Sequence, residues 1–308
     1  MNLSEMMTQM SILFLTAGLG FMGAKVGYIP KEANRILSRL VLDMALACSV
    51  VYSAASSAHP LTNAQVGMMA LGATVAAVLL ILISKGMIAL LRIPKESAGV
   101  CEYMLIFSSS ALMGYPVIRA CFGTDAVFYA AILNMVFTTL CYTYGIRLIR
   151  GKQEGKKNGW NELISPVILC SLLAWIIYIF RIQLPEFLVK TLGYMDQITS
   201  PLSMLIVGST LAHAKRIHIA GFWRVFILVA LRMIVTPLLA YAILNPLFQN
   251  RMMTGIFVIF QALPAAVSTT MFCARFEKDG TLAALCVLLS TVLSAILLPL
   301  YCSLLIAV

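Results

Sequence analysis

The sequence predicts an all-α integral membrane protein of ten transmembrane helices, laid out as two inverted five-helix repeats. Three observations carry that prediction: an apolar composition, ten apolar runs of spanning length, and short internal matches half a chain apart. Of 308 residues, 61% are hydrophobic and 11% charged, and mean hydropathy is +0.95. A soluble core cannot hide that much apolar surface. The longest polar run, Arg150 to Glu162, suffices only for a loop. Met1 to Met10 carries Glu5 and no Lys or Arg, and the first apolar run continues as a spanning helix, so no cleavable signal is expected.

A helix needs about 20 apolar residues to cross hydrocarbon. Runs of that kind cover residues 6–26, 33–58, 63–91, 98–121, 125–149, 161–181, 187–213, 219–246, 251–275 and 279–306. The third, seventh, eighth and tenth are long enough to tilt or kink. With the N-terminus outside, seventeen of the twenty-two Lys and Arg fall in loops facing the cytoplasm. That bias predicts an even number of spans in the cell (inner) membrane with both termini outside. It also accounts for the net charge of +10 as topology, with no nucleic-acid partner required. The lipid bilayer is the expected surrounding.

The eight cysteines are scattered through apolar segments without a CxxC pair, and read as small buried residues rather than metal ligands or disulfides. His59, His213 and His218 lie at helix ends, so no metal and no cofactor are expected.

Internal repetition comes next. "CFGTDA" from Cys121 and "RFEKDG" from Arg275 match in pattern at an offset of 154, and "GYIPKE" from Gly27 matches "IQLPEF" from Ile182 at 155. The first repeat then covers 1–150, a cytoplasmic loop 151–160 and the second repeat 161–308. Five helices per half force the second half to be inverted, which is a transporter signature and places a site where discontinuous helices of the two halves meet. The fourth span reads "FSSSALMGYPV" from Phe107 and the ninth "FQALPAAVSTT" from Phe260. Pro116 obstructs the carbonyl of Leu112 and Pro264 that of Phe260. Freed backbone groups at membrane depth need partners in protein, water or ligand. Two crossing breaks would present helix N-termini suited to an anion.

Other polar residues inside the spans are weighed singly. Arg232 lies fourteen residues past His218, about 21 Å along a helix. It reads either as a countercharge for a carboxylate or as a structural cap near the crossing. Asp43, one turn from Arg39, can form an interfacial ion pair or act as a proton- or cation-linked carboxylate. In "DQITSPLS", from Asp196, the oxygens of Gln197, Thr199 and Ser203 offer a Na⁺ site or a substrate path. Glu102 is expected at a solvated inner helix end.

Several passages, among them "RILSRLVLDMAL" from Arg35, "MGYPVIRACFGTDA" from Met113, "SPLSMLIVGSTLA" from Ser200, "LRMIVTPLLA" from Leu231 and "ALPAAVSTTMFCARFEKD" from Ala262, resemble the auxin efflux carrier family of membrane transporters. That family includes plant PIN-type carriers and bacterial malate and malonate permeases. The resemblance implies a scaffold of helices 1, 2, 6 and 7 and a transport domain of helices 3–5 and 8–10. Helices 4 and 9 would be broken at a crossover, as in sodium/bile-acid symporters, with elevator-like transport. Family members carry Asn where this chain has Ser109 and Ser268, and proline where Ala47 stands. A hydroxyl is shorter than an amide and offers one donor where the amide offers two donors and an acceptor.

The expected substrate-binding set is Ser108, Ser109, Ser110, Gly114, Pro116, Pro264, Ala265, Ser268 and Arg232; the coupling-ion or proton candidates are Asp43, Gln197, Thr199 and Ser203. The predicted function is secondary transport of a small organic anion such as malate, malonate or an auxin-like acid, with H⁺ or Na⁺ as the coupling ion and a homodimer left open. The alternatives are a sodium-coupled symporter of the bile-acid type or a non-transporting membrane sensor. An enzyme would need a nucleophile with a base, or paired carboxylates, at one depth, and the histidines sit at helix ends. A phosphate-binding Gly-rich loop is also lacking.

Overall fold

The computed structural model of the chain describes residues 3–56, 62–110, 114–123, 126–151, 166–213, 222–248 and 250–307. Among these residues the regular structure is helical, apart from one isolated backbone bridge between Ser108 and Ala265. In chain order the helices are α1 (Leu3–Val26), α2 (Lys31–Leu40), α3 (Leu46–Ser56), α4 (Asn63–Leu90), α5 (Lys95–Ile106), α6 (Tyr115–Phe122), α7 (Ala126–Leu140) and α8 (Ile146–Arg150). Then come α9 (Pro166–Phe180), α10 (Glu186–Ala212), α11 (Phe222–Ala230), α12 (Thr236–Phe248), α13 (Arg251–Ala262), α14 (Ser268–Arg275) and α15 (Thr281–Ala307). Five stretches are long and apolar enough to cross a membrane: Lys31–Ser56, Ala64–Leu90, Ala126–Arg150, Phe226–Pro246 and Thr281–Leu305. Apolar helices also lie at Ser11–Val26, Pro166–Phe180 and Arg251–Ala262. The chain is a multi-pass membrane protein.

Local chemistry sets the boundaries. Pro30, Pro94 and Pro185 each occupy an N-cap, and Glu32, Glu96 and Glu186 follow in the first turns. Proline lacks the N–H that a helix start leaves unpaired, and the carboxylate suits the positive end of the helix. Thr62 and Gln65 close a reciprocal capping box on α4, and the Asn250 side chain caps α13. Gly27 ends α1 at φ 94°, a conformation that a side chain disfavours.

Three long segments stay helical but widen into a π-helical turn: Val41–Ala45 between α2 and α3, Cys141–Gly145 between α7 and α8, and Leu231–Val235 between α11 and α12. Such turns shift the backbone register and gather at functional sites. Here they carry Asp43, Tyr142 and Arg232 respectively.

α1 lies on α10, and α3 on both α9 and α10; α4 lies on α5 and α7, and α12 on α13. The interrupted pair is the most enclosed: every residue of α13 from Met253 to Ala262 is buried, as is α5 from Val100 to Ile106. Leu15, Leu19, Leu71 and Leu82, on α1 and α4, are exposed, as befits residues facing acyl chains. Broken backbone therefore sits inside protein, where its free groups can be paired.

Three expectations are corrected. Cys121 and Cys302 form a disulfide across 181 residues of sequence, with Cα atoms 5.8 Å apart; the ends of α6 and α15 converge there, a proximity that residue spacing does not reveal. Asp43 pairs at 2.6 Å with Arg275 instead of Arg39, because the end of α14 is packed against α2. Glu102 is buried rather than solvated and accepts a 2.5 Å hydrogen bond from the Tyr144 hydroxyl. The loop 151–160, His59 and His218 lie outside the described residues, apart from Gly151.

Candidate functional site

The site begins with two failures of helix. α5 stops at Ile106, and Phe107 turns extended at φ −101°, ψ 133°. α13 stops at Ala262, Leu263 turns extended at φ −64°, ψ 153°, and Pro264 has no N–H with which to resume the ladder. The two extended stretches meet as a single antiparallel step. The Ser109 N–H donates to the Pro264 carbonyl at 2.9 Å, and the Ala266 N–H donates to the Phe107 carbonyl at 3.2 Å. The Ala265 N–H donates to Ser290 Oγ of α15 at 3.0 Å. Each break thus supplies partners to the other, which is how irregular backbone survives away from water.

Arg232 secures the opposite ends. It is 2% exposed, and its Nη1 donates to the carbonyls of Met104 at 2.9 Å and Leu105 at 2.7 Å while Nε donates to Leu263 at 3.3 Å. Those carbonyls belong to the C-terminal ends of α5 and α13, where helix dipoles leave partial negative charge. One guanidinium therefore caps both broken helices. Among the described residues no carboxylate pairs with it.

Beside the step lies a cavity of about 100 Å³. The fourth-segment break lines it with Ser108, Ser109 and Ser110, the ninth with Ala266, Val267 and Ser268, and α10 with Thr199 and Ser203. The hydroxyls of Ser108 and Ser109 make no hydrogen bond among the described residues, whereas Ser110 donates to Asn134 Oδ1 at 2.5 Å. Ser268 Oγ lies 2.7 Å from the Tyr103 hydroxyl, itself 2.7 Å from Cys141 Sγ. Among the described residues, Lys, Arg, Asp and Glu are absent from the lining. The first residue of α14, Ser268, is on the wall, so the positive end of that helix opens into the cavity. Neutral donors around a helix start can hold a small anion without a fixed countercharge.

Four of the nine expected substrate-binding residues line the cavity: Ser108, Ser109, Ser110 and Ser268. Pro264 and Ala265 form the paired backbone behind it. A Cβ on Gly114 would approach Leu263 Cδ1 to 3.1 Å, so Gly114 serves the close fit of one break against the other. Pro116 is the second residue of α6, and its side chain lies outside the described residues. Arg232 stands apart from the lining. Of the coupling candidates, Thr199 and Ser203 join the cavity wall, Gln197 is exposed on α10, and Asp43 is held by Arg275.

Sequence reasoning missed a whole wall. Asn134, Phe137, Thr138, Cys141 and Tyr142 line the cavity from α7 and its π-turn. Their spacing of three and four places them on one helical face, and an asparagine in an apolar span was the available signal.

The family profile described as "Membrane transport protein" matches residues 5–161 and 155–302. A protein named "Uncharacterized transporter" from Methanocaldococcus jannaschii is 22% identical over 301 residues, covering 94% of this chain and 96% of the relative. A second of that name, from Methanothermobacter thermautotrophicus, is 28% identical over 200 residues, covering 63% of each. With nearly the whole length matched, the chain belongs to the membrane transport protein family, the auxin efflux carrier family that its own passages resemble.

Proposed function

We propose that this protein is a secondary active transporter of a small organic anion, a carboxylate such as malate, malonate or an auxin-like acid, working by elevator-type alternating access. The observation that carries the reading is the cavity at the joined breaks, with the start of α14 on its wall and, among the described residues, two unengaged serine hydroxyls and no charged side chain. A site that binds an anion through neutral dipoles holds it loosely enough to release it. The amide that the family supplies at Ser109 has a counterpart in Asn134, which reaches the same cavity from α7.

In this reading the chain is a ten-span inverted repeat, with 1–150 and 161–308 as its halves. α1, α2, α3, α9 and α10 form the scaffold, and the remaining helices carry the crossover. The grouping of packing contacts supports that division. A disulfide survives only in an oxidising compartment, so Cys121 and Cys302 support outward-facing ends for the fourth and tenth spans. Sodium coupling would act through the hydroxyl oxygens of Thr199 and Ser203, which share the cavity, whereas a coupled proton would need a titrating group such as the Asp43 carboxylate.

The test is uptake of labelled mono- and dicarboxylates into proteoliposomes under separate H⁺ and Na⁺ gradients, comparing wild type with Ser109→Ala, Ser268→Ala and Asn134→Leu. Uptake that one gradient drives and that Ser109→Ala weakens supports the reading. Absence of uptake under every gradient, or uptake indifferent to all three changes, sinks it.

A further inference from the structure

A second cavity, of about 320 Å³, lies between α12, α13 and α15, away from the joined breaks. Its polarity is graded. At one end stand Asn245, near the end of α12, and Arg251, the first residue of α13. One turn deeper is Thr254, 1% exposed, whose Oγ1 has no hydrogen-bond partner among the described residues. Beyond it the wall becomes Leu238, Val258 and Leu304, with the rings of Tyr241 and of Tyr301, whose hydroxyl donates to the Met233 carbonyl, beside them. Arg251, Thr254 and Val258 share one face of α13. From Asn245 to Leu238 the groove runs about 10 Å along α12. Leu238 and Leu304 are 56% and 54% exposed, so its long side opens onto the apolar exterior.

Arg251 has no carboxylate partner among the described residues. It stands at a helix N-terminus, where further N–H groups favour negative charge. Anion recognition at one end and an apolar trough open to the bilayer reproduce the order of groups in a phospholipid. We propose that this groove is a specific site for a bilayer phospholipid with a net anionic headgroup, its phosphate on Arg251 and Asn245 and one acyl chain along Leu238, Val258 and Leu304.

The experiment is native mass spectrometry of the purified full-length protein in detergent, offered equal amounts of phosphatidylglycerol and phosphatidylcholine. Wild type retains phosphatidylglycerol over phosphatidylcholine by roughly tenfold, the worth of one charge-assisted contact. Arg251→Gln brings the two lipids to parity. Leu304→Trp, a change at an exposed position that fills the trough, lowers retention of both. Excess inorganic phosphate leaves the bound lipid in place. Equal retention by wild type overturns the proposal, as does a preference that survives Arg251→Gln or retention unchanged by Leu304→Trp in a monodisperse protein. Displacement by phosphate alone would assign the groove to a soluble anion instead.

Discussion

The two helix breaks are paired in space but built differently. The fourth-segment break contributes side chains: Ser108 and Ser109 offer the cavity hydroxyls that no neighbour uses, and Ser110 is tied to Asn134. The ninth-segment break contributes backbone: Pro264, Ala265 and Ala266 pair with the other break and with Ser290, while Ser268, its hydroxyl on the cavity wall, is already held by Tyr103. On the proposed reading, recognition falls to the first break and architecture to the second. A site whose ligand must change can vary the serines without disturbing the apolar strand that holds them.

The comparison breaks most sharply at Arg232, which both arms share. Arg232→Met removes three hydrogen bonds from carbonyls at the ends of α5 and α13. Leaving these groups unpaired inside protein costs about 3–5 kcal/mol, and the variant is expected to lose its thermal transition in detergent. Arg232→Lys keeps the charge but lacks the planar fork, so its melting point should fall between those of wild type and the methionine variant. An unshifted transition for Arg232→Met would show that the breaks hold themselves.

At the serines the arms should part company. Ser109→Ala is expected to raise the KM for uptake about tenfold with an unchanged melting point, because its hydroxyl is engaged by no other described residue. Ser268→Ala removes a partner of the buried Tyr103 hydroxyl and should cost about 1 kcal/mol of stability, with the smaller effect on KM. Kinetics and scanning calorimetry on the same preparations decide it; the opposite pattern would assign recognition to the ninth break.

Smaller still is the tie between the ninth arm and the second segment. Asp43 and Arg275 are about a quarter exposed, and a double-mutant cycle with Asp43→Asn and Arg275→Gln should give a coupling below about 1 kcal/mol. The least effect belongs to the disulfide. Cys121 and Cys302 should resist a membrane-impermeant maleimide on intact cells until a reductant is added, and Cys302→Ser should free the Cys121 thiol without changing uptake.

Much of this was legible in the sequence. Apolar runs marked helical segments, and the serine triplet and Pro264 marked the places where helix gives way, because hydrophobic length and a missing N–H act locally; Pro116 itself lies inside α6. The serine triplet announced itself as polar residues at membrane depth. What stayed hidden depends on which helices touch. Arg232 reads from sequence as either a countercharge or a structural cap, and only the proximity of Met104, Leu105 and Leu263 decides for the cap. Asn134 lies in a span that carries no break, and Asp43 reaches past the nearby Arg39 to a residue 232 positions away.

The contact between α1 and α10 limits which surfaces of this protein can slide. A Cβ on Gly208 would fall 1.8 Å from the Ala17 carbonyl oxygen, and one on Gly20 would fall 2.3 Å from that of Leu205. Backbones that touch this closely interlock like a keyed joint, and translation along the axis would drive a side chain into a peptide plane within one residue. The smoother face of α10 lies elsewhere, where Ser203 meets the thioether of Met271, on α14, at 3.9 Å. Hydroxyls and a flexible thioether can exchange partners in small steps, so if any part of the molecule glides, the rail is the cavity-lined side of α10 and the anchor is its glycine side.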